Sequence, residues 1–232
     1  MQRKPSGGTN TINFQRILTD ALATMDVEIN PEQHSKLKAY WLLLQKWNSA
    51  YNLSSIRDPK EMIYKHVLDS LTLVPHIHSH ALQLSTNQPS LRCADIGSGA
   101  GLPGIILAIC FPQHHFCLVD SAGKKIRFLF QAKTELGLTN ISLENNRVEQ
   151  FTPEHRFDIV FSRAFASVKK FTDLCEHLLA EQGQFWAMKG VFPEQELSEM
   201  EKHYIVAQDH RLSFPGLEGE RCLIQIQKVD AS

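Results

Sequence analysis

The chain is 232 residues long, 43% apolar and 21% charged, with a formal net charge of −1. That length suits one large domain, or a domain with a smaller appendage, and the composition excludes a disordered or membrane-embedded chain. A near-neutral balance supplies no overall positive field, so any RNA-binding role requires a local basic face.

The first residues, "MQRKPSGGTN", are polar and lack the apolar centre of a signal peptide. No apolar run approaches the roughly 20 residues of a membrane span, and a cytoplasmic protein is expected. Residues 1–12 read as a polar tail. Phe14, Ile17, Leu18, Ala21, Leu22 and Met25 then recur at helical spacing, as do Leu37, Tyr40, Trp41, Leu44 and Trp47. Asn30-Pro31 with Gln33 has the form of a helix start with a capping box. The stretch "WNSAYNLSSIRDP" breaks the helical pattern, and Asp58-Pro59 with Glu61 restarts it. Ile63, Val67, Leu71 and Val74 form its buried stripe. Met62, His66, Asp69 and Leu73 share a second stripe, which makes His66 and Asp69 neighbours, an orienting pair. His76, His78 and His80 are placed in a polar loop after that helix. They lack a carboxylate or cysteine partner, so no metal is expected.

The segment "SHALQLSTNQPS" reads as the join between a helical region, 13–85, and a core, 86–232, of different architecture. From Leu91 onward short apolar runs alternate with helical patterns, the signature of a parallel sheet covered by helices. Strands are expected at "LRCADI", "HFCLVD", "ISLEN", "FDIVFSR", "GQFWAMK" and "RCLIQIQK", with a weaker one at "YIVAQDHRL". Helices are expected after Pro103, from Gly123 to a left-handed cap at Gly137, over 167–181 and after Pro193. Only the loop "SFPGLEGE" separates the last two strands, so they should pair antiparallel. The fold class is α/β, a mostly parallel seven-stranded sheet with an antiparallel C-terminal hairpin. The cysteines, Cys93, Cys110, Cys117, Cys175 and Cys222, contain no C-x-x-C pair, and buried or idle thiols are expected.

"CADIGSGAGLPG", Cys93 to Gly104, holds two overlapping glycine patterns. From Gly99 it is G-x-G-x-x-G, the dinucleotide fingerprint; from Asp95 it is D-x-G-x-G-x-G. Four glycines at a strand-to-helix junction point to close approach of a ligand. A pyrophosphate needs N–H groups and no nearby carboxylate. Asp95 therefore favours a ligand with an ammonium and a sulfonium and no phosphate, S-adenosylmethionine. Asp120 ends the second strand, where an acid commonly holds ribose hydroxyls, and fits either cofactor.

If the cofactor donates a methyl, the chain lacks the polar-Pro-Pro-aromatic loop used on exocyclic amines after its fourth strand, "FDIVFSRAFAS". It also lacks a Pro-Cys nucleophile for pyrimidine C5. An acceptor with its own lone pair, such as a purine ring nitrogen, remains, and needs no general base. Arg163 and Lys189 end strands and, with His66, are positioning candidates. Val148 and Glu149 stand where an adenine can be bracketed. Basic clusters stand at Arg57, Lys60, Lys65 and His66, at Lys124, Lys125 and Arg127, and at Lys169-Lys170, and each also suits a solvated helix face.

The segments "KWNSAYNLSSIRDPKEMIYKHVLDSL", "DIGSGAGLPGIILA", "LVDSAGKKIRFL", "NRVEQF", "FSRAFAS" and "AMKG", in this order, resemble the glucose-inhibited division protein B family, bacterial 16S ribosomal RNA guanine-N7 methyltransferases. The resemblance implies a Rossmann-like S-adenosylmethionine-dependent methyltransferase core over 86–232, preceded by helices. It implies a 16S rRNA or small-subunit substrate; no metal or membrane partner is expected, and a monomer is expected. It also implies cofactor contacts at Gly97, Leu102, Val148, Glu149 and Arg163, beside Asp95, Gly99 and Asp120. Lys65, His66, Arg57, Lys124, Lys125 and Arg221 are the RNA-binding candidates. The family reads Arg-His where this chain has Lys65-His66, and Glu-Arg-His where it has Glu220-Arg221-Cys222. Other classes remain open on the residues: a methyltransferase for another RNA or a small molecule, a nicotinamide-dependent oxidoreductase, and a non-catalytic ribosome-binding protein.

Overall fold

The computed structural model describes residues 12–83, 90–163, 165 and 167–229. Most of the polar tail and the middle of the expected join, 84–89, therefore lie outside the described residues. Helix α1 (Phe14–Met25) starts where the Asn13 side chain accepts from the Arg16 N–H. Helix α2 (Pro31–Tyr51) starts at the expected capping box, with Asn30 and Gln33 exchanging side-chain and backbone hydrogen bonds. The Gln33 amide also donates to the carbonyls of Ile109 and Cys110, closing the C-terminal end of another helix 76 and 77 residues away. Phe14 stacks on Trp41 with ring centroids 5.0 Å apart, which joins α1 to α2.

Two helical expectations need correction. The pattern break at Trp47 does not end α2, which continues to Tyr51 and stops at Asn52, left-handed at φ 50°. Its last turn stays helical because Asn48 faces inward, donating to the Ile56 carbonyl and accepting from the Ser54 N–H. After the cap at Asp58, helix α3 (Pro59–Met62) runs directly into a π-helical segment (Ile63–Leu68) and then α4 (Asp69–Leu71). A π segment changes the phase of the face, which a single α-helical stripe did not foresee. Helix α5 (Val74–Gln83) contains His76, His78 and His80, so these are helical and not in a loop.

The sheet has order β3-β2-β1-β4-β5-β7-β6. Strands β1 (Arg92–Ile96), β2 (His115–Val119), β3 (Ile141–Glu144), β4 (Phe157–Ser162) and β5 (Leu179–Lys189) run parallel. β6 (Tyr204–Arg211) and β7 (Cys222–Lys228) add the antiparallel end. Helices α6 (Gly104–Cys110), α7 (Gly123–Glu135), α8 (Val168–Cys175) and α9 (Glu194–Ser198) follow β1, β2, β4 and β5. The helix expected over 167–181 ends early. A 3-10 turn closes at Leu178 and β5 begins at Leu179, drawn into the sheet by pairing with Phe157.

Alternation along the strands divides the interior in two. Cys93, Phe116, Leu118, Phe161 and Trp186 face α6, α7 and the N-terminal helices in one continuous apolar cluster. Ala94, Ile96, Cys117, Val160 and Phe185 face α8 in the second. The N-terminal helices thus share a core with one face of the sheet. All five cysteines are free, with Cys110 half-buried and the others buried. No helix among the described residues is long and apolar enough to cross a membrane.

Candidate active site

Strand order reverses between β1 and β4, and ligands of open α/β sheets bind outside the carboxyl ends of strands at such a point. Two clefts meet there. The larger, about 460 Å³, reaches from the glycine loop to the π segment, Lys189 and Arg221. The smaller, about 360 Å³, runs past Asp120 to Val148 and Glu149. Gly97 and Lys125 line both.

The loop between them decides which glycine pattern carries meaning. Gly97, Gly99 and Gly101 all have positive φ, which is why glycine stands there. The N–H groups of Gly97 and Ser98 donate to the Val119 carbonyl, and those of Gly101 and Leu102 to the Ser98 carbonyl. The Gly99 N–H donates to Asp120 Oδ2 and the Gly104 N–H to Asp95 Oδ2, both at 2.9 Å. Six N–H groups that a pyrophosphate could use are thus already taken, two of them by carboxylates. A loop so arranged offers a ligand carbonyl oxygens, which suit an ammonium. A Cβ placed on Gly97 meets nothing within 4 Å, so this glycine borders open space that a ligand can enter. The loop is held from behind by Tyr40, whose buried hydroxyl donates to the Ala100 carbonyl at 2.7 Å.

Asp95 is 1% exposed and does not itself line either cleft. Its Oδ1 is buried without a hydrogen-bond partner. Burial pushes its carboxyl up to about 7, against the Gly104 N–H and Arg163, which favour the charged form. Asp120 Oδ1 accepts from the Ala122 N–H, and Oδ2 also meets Lys125 Nζ at 3.3 Å. The open face of Gly97, with the buried Asp95 carboxyl behind the loop and most loop N–H groups bonded within the fold, fits a cationic, phosphate-free cofactor.

The remaining candidates divide by position. Leu102, Gly99, Arg163, Lys189, His66, Lys65 and Arg221 all line the larger cleft. Arg57 instead hydrogen-bonds the Asn52 side chain, and Lys124 is exposed; neither lines either cleft. Lys65 pairs with Glu61 at 2.8 Å. Lys189 Nζ donates to Glu196 at 2.7 Å, and the same carboxylate oxygen caps the Val168 N–H at the start of α8. The antiparallel turn of β7 matters here. Cys222 pairs with Lys189, so the beginning of β7, not its end, delivers Arg221 and Cys222 to the cleft.

His66 and Asp69 are both buried, yet each takes a different partner. His66 Nε2 lies 2.7 Å from Ser54 Oγ, and burial pushes its imidazole down to about 4, so it is neutral at physiological pH. Asp69 accepts from Arg163 Nη1 at 3.2 Å and from Arg221 Nε at 3.1 Å. Sequence reading missed Asp69 as a hub and Ser54 and Glu196 altogether. Their partners lie far along the chain, and no local spacing records them.

Comparison with known proteins supplies the family. The family described as rRNA small subunit methyltransferase G (GidB) matches residues 33–224. A protein named ribosomal RNA small subunit methyltransferase G from Saccharophagus degradans is 51% identical over 94% of this chain and 93% of its own length. Proteins with the same name from Burkholderia multivorans and Escherichia coli are 41% and 43% identical, covering 100% and 90% of this chain and 100% and 96% of theirs. The chain belongs to the GidB family, the rRNA small subunit methyltransferases G.

Proposed function

We propose that the chain transfers a methyl group from S-adenosyl-L-methionine to N7 of a specific guanine in 16S ribosomal RNA, acting in the cytoplasm as a monomer. The observation that carries this reading is the pair of clefts meeting at Gly97 and Lys125, beside a loop whose Gly99 and Gly104 N–H groups are taken by carboxylates. Val148, Glu149 and Asp120 would hold the nucleoside end of the cofactor in the smaller cleft, with Gly97 and Leu102 against its amino-acid end. Residues 86–232 form the methyl-transferring core, and 13–85 complete the acceptor side.

When bound, S-adenosylmethionine supplies a methyl group on a sulfonium, which the N7 lone pair takes without losing a proton. The protein therefore needs no general base at the acceptor. Neutral His66 and the cations Arg163, Lys189 and Arg221 bind and orient RNA, and the buried walls exclude water. The test is incubation with methyl-labelled S-adenosylmethionine and small ribosomal subunits lacking the modification, followed by nucleoside digestion. Label is expected in 7-methylguanosine alone. Label in an adenine or a pyrimidine, or none in RNA, would overturn the proposal.

A further inference from the structure

We infer that the loop between β5 and α9 carries an RNA-stacking lip, in which the Phe192 ring, beside Val191, takes the face of an unstacked base at the mouth of the larger cleft. The inference rests on the methyl-transfer reading above and names the surface by which that cleft grips single-stranded RNA.

β5 ends at Lys189, and Lys189 and Gly190 both line the larger cleft. The next two residues stand out into solvent, Val191 70% and Phe192 39% exposed. Other large apolar side chains exposed among the described residues, such as Leu82, Phe130 and Ile205, stand apart on α5, α7 and β6. Single exposed apolar residues are ordinary on a protein surface; two in succession at the edge of a cleft point to a contact.

The lip is held at both ends. Lys189 Nζ donates to Glu196 Oε2 across the loop at 2.7 Å, and the same oxygen accepts from the Val168 N–H at 2.8 Å. Pro193 restricts the backbone of Phe192 before it and leads directly into α9. A side chain carried on a loop stapled in this way loses little freedom when it binds.

The neighbours of the lip select its occupant. The cleft beneath is lined by Lys65, Lys125, Lys189 and Arg221. A Cβ placed on Gly190 would lie 3.9 Å from Arg221 Nη1, so that guanidinium sits at the foot of the lip. An aromatic ring beside cations is the arrangement that holds single-stranded RNA, with the ring on a base and the cations on the backbone. A guanine that enters the cleft leaves a neighbouring base unstacked, and a ring at the mouth replaces the lost stacking. A second copy of this chain fits less well. Two side chains on a short loop match a base or two, but fall far short of the about 1,000 Å² that a stable protein interface buries.

The experiment is steady-state kinetics of Phe192→Ala, Phe192→Leu and Phe192→Trp on small ribosomal subunits lacking the modification, with S-adenosylmethionine affinity measured by calorimetry. Leucine keeps apolar volume without a ring, and tryptophan keeps a ring. Expected is a kcat/KM for subunits lower on the order of tenfold in Phe192→Ala and Phe192→Leu and close to wild type in Phe192→Trp. Cofactor affinity and Tm should stay at wild-type values in all three, whereas a merely structural role would lower both. A photoreactive phenylalanine analogue at position 192, irradiated with bound subunits, should cross-link to rRNA. Wild-type kcat/KM in Phe192→Ala or Phe192→Leu would overturn the lip, as would a cross-link only to a ribosomal protein or to a second copy of this chain. A cross-link to rRNA from a protein that methylates no guanine would overturn the functional reading and leave the lip standing.

Discussion

Asp95 holds a carboxyl at the end of β1 with one oxygen on the Gly104 N–H and the other buried without a partner. Burial lifts it from the ordinary carboxylate value to about 7. The protein without ligand therefore keeps this proton longer than the unfolded chain does. Its contribution to stability is full below about pH 4 and disappears as pH rises through about 7. A cationic ligand nearby favours the ionised form, so S-adenosylmethionine affinity is expected to rise with pH from 6 to 8. Calorimetry should show that rise in wild type and a weaker, flat profile in Asp95→Asn; identical profiles would remove Asp95 from the cofactor's surroundings. Gly97 gives a second test. Gly97 and Gly137 both have positive φ and open space where a Cβ would sit. Alanine at either should cost about 1–2 kcal/mol of stability through the left-handed backbone. Only Gly97→Ala should also weaken cofactor binding, by tenfold or more, whereas equal effects on binding would deny Gly97 its place beside the ligand. Asp95 and Gly97 were legible because they stand within one short motif. Asp69 was not, since its role exists only once β4 and β7 reach it.

At the scale of elements, the glycine loop depends on α2. Tyr40 is buried, and its hydroxyl is the support beneath Ala100. Tyr40→Phe leaves a buried carbonyl without that bond and should cost about 1–3 kcal/mol in chemical denaturation. The loosened loop should also weaken cofactor binding; full affinity at reduced stability would mean that the loop holds its shape without α2. The strands were readable from their apolar runs, and the antiparallel hairpin from the short loop before β7. The breaks were less so. The end of α2 is set by Asn48 bonding across the following loop, and the boundary between α8 and β5 is set by pairing of Leu179 with Phe157. The π segment is fixed by tertiary contacts too, among them the close packing of Gly216 against Tyr64. Each is a long-range choice laid over an ambiguous local pattern.

Across the whole molecule, three regions converge at one end of the sheet: the N-terminal helices, the parallel strand ends, and the reversed β7. The helices share the sheet's core, so the acceptor side of the cleft is built on the same rigid layer as the cofactor side. The formal charge of −1 conceals a cleft lined by Lys65, Lys125, Arg163, Lys189 and Arg221. Salt should therefore weaken substrate binding far more than cofactor binding, seen as a KM for subunits that climbs with ionic strength while S-adenosylmethionine affinity holds. A subunit KM insensitive to salt would place RNA elsewhere. The seat at Gly97 is tested most directly by calorimetry with S-adenosylmethionine and NADH under identical conditions. With the Gly99 and Gly104 N–H groups already bonded to Asp120 and Asp95, the protein should bind S-adenosylmethionine at one site per chain and give no binding heat with NADH. Comparable binding of NADH, or none of S-adenosylmethionine, would contradict it.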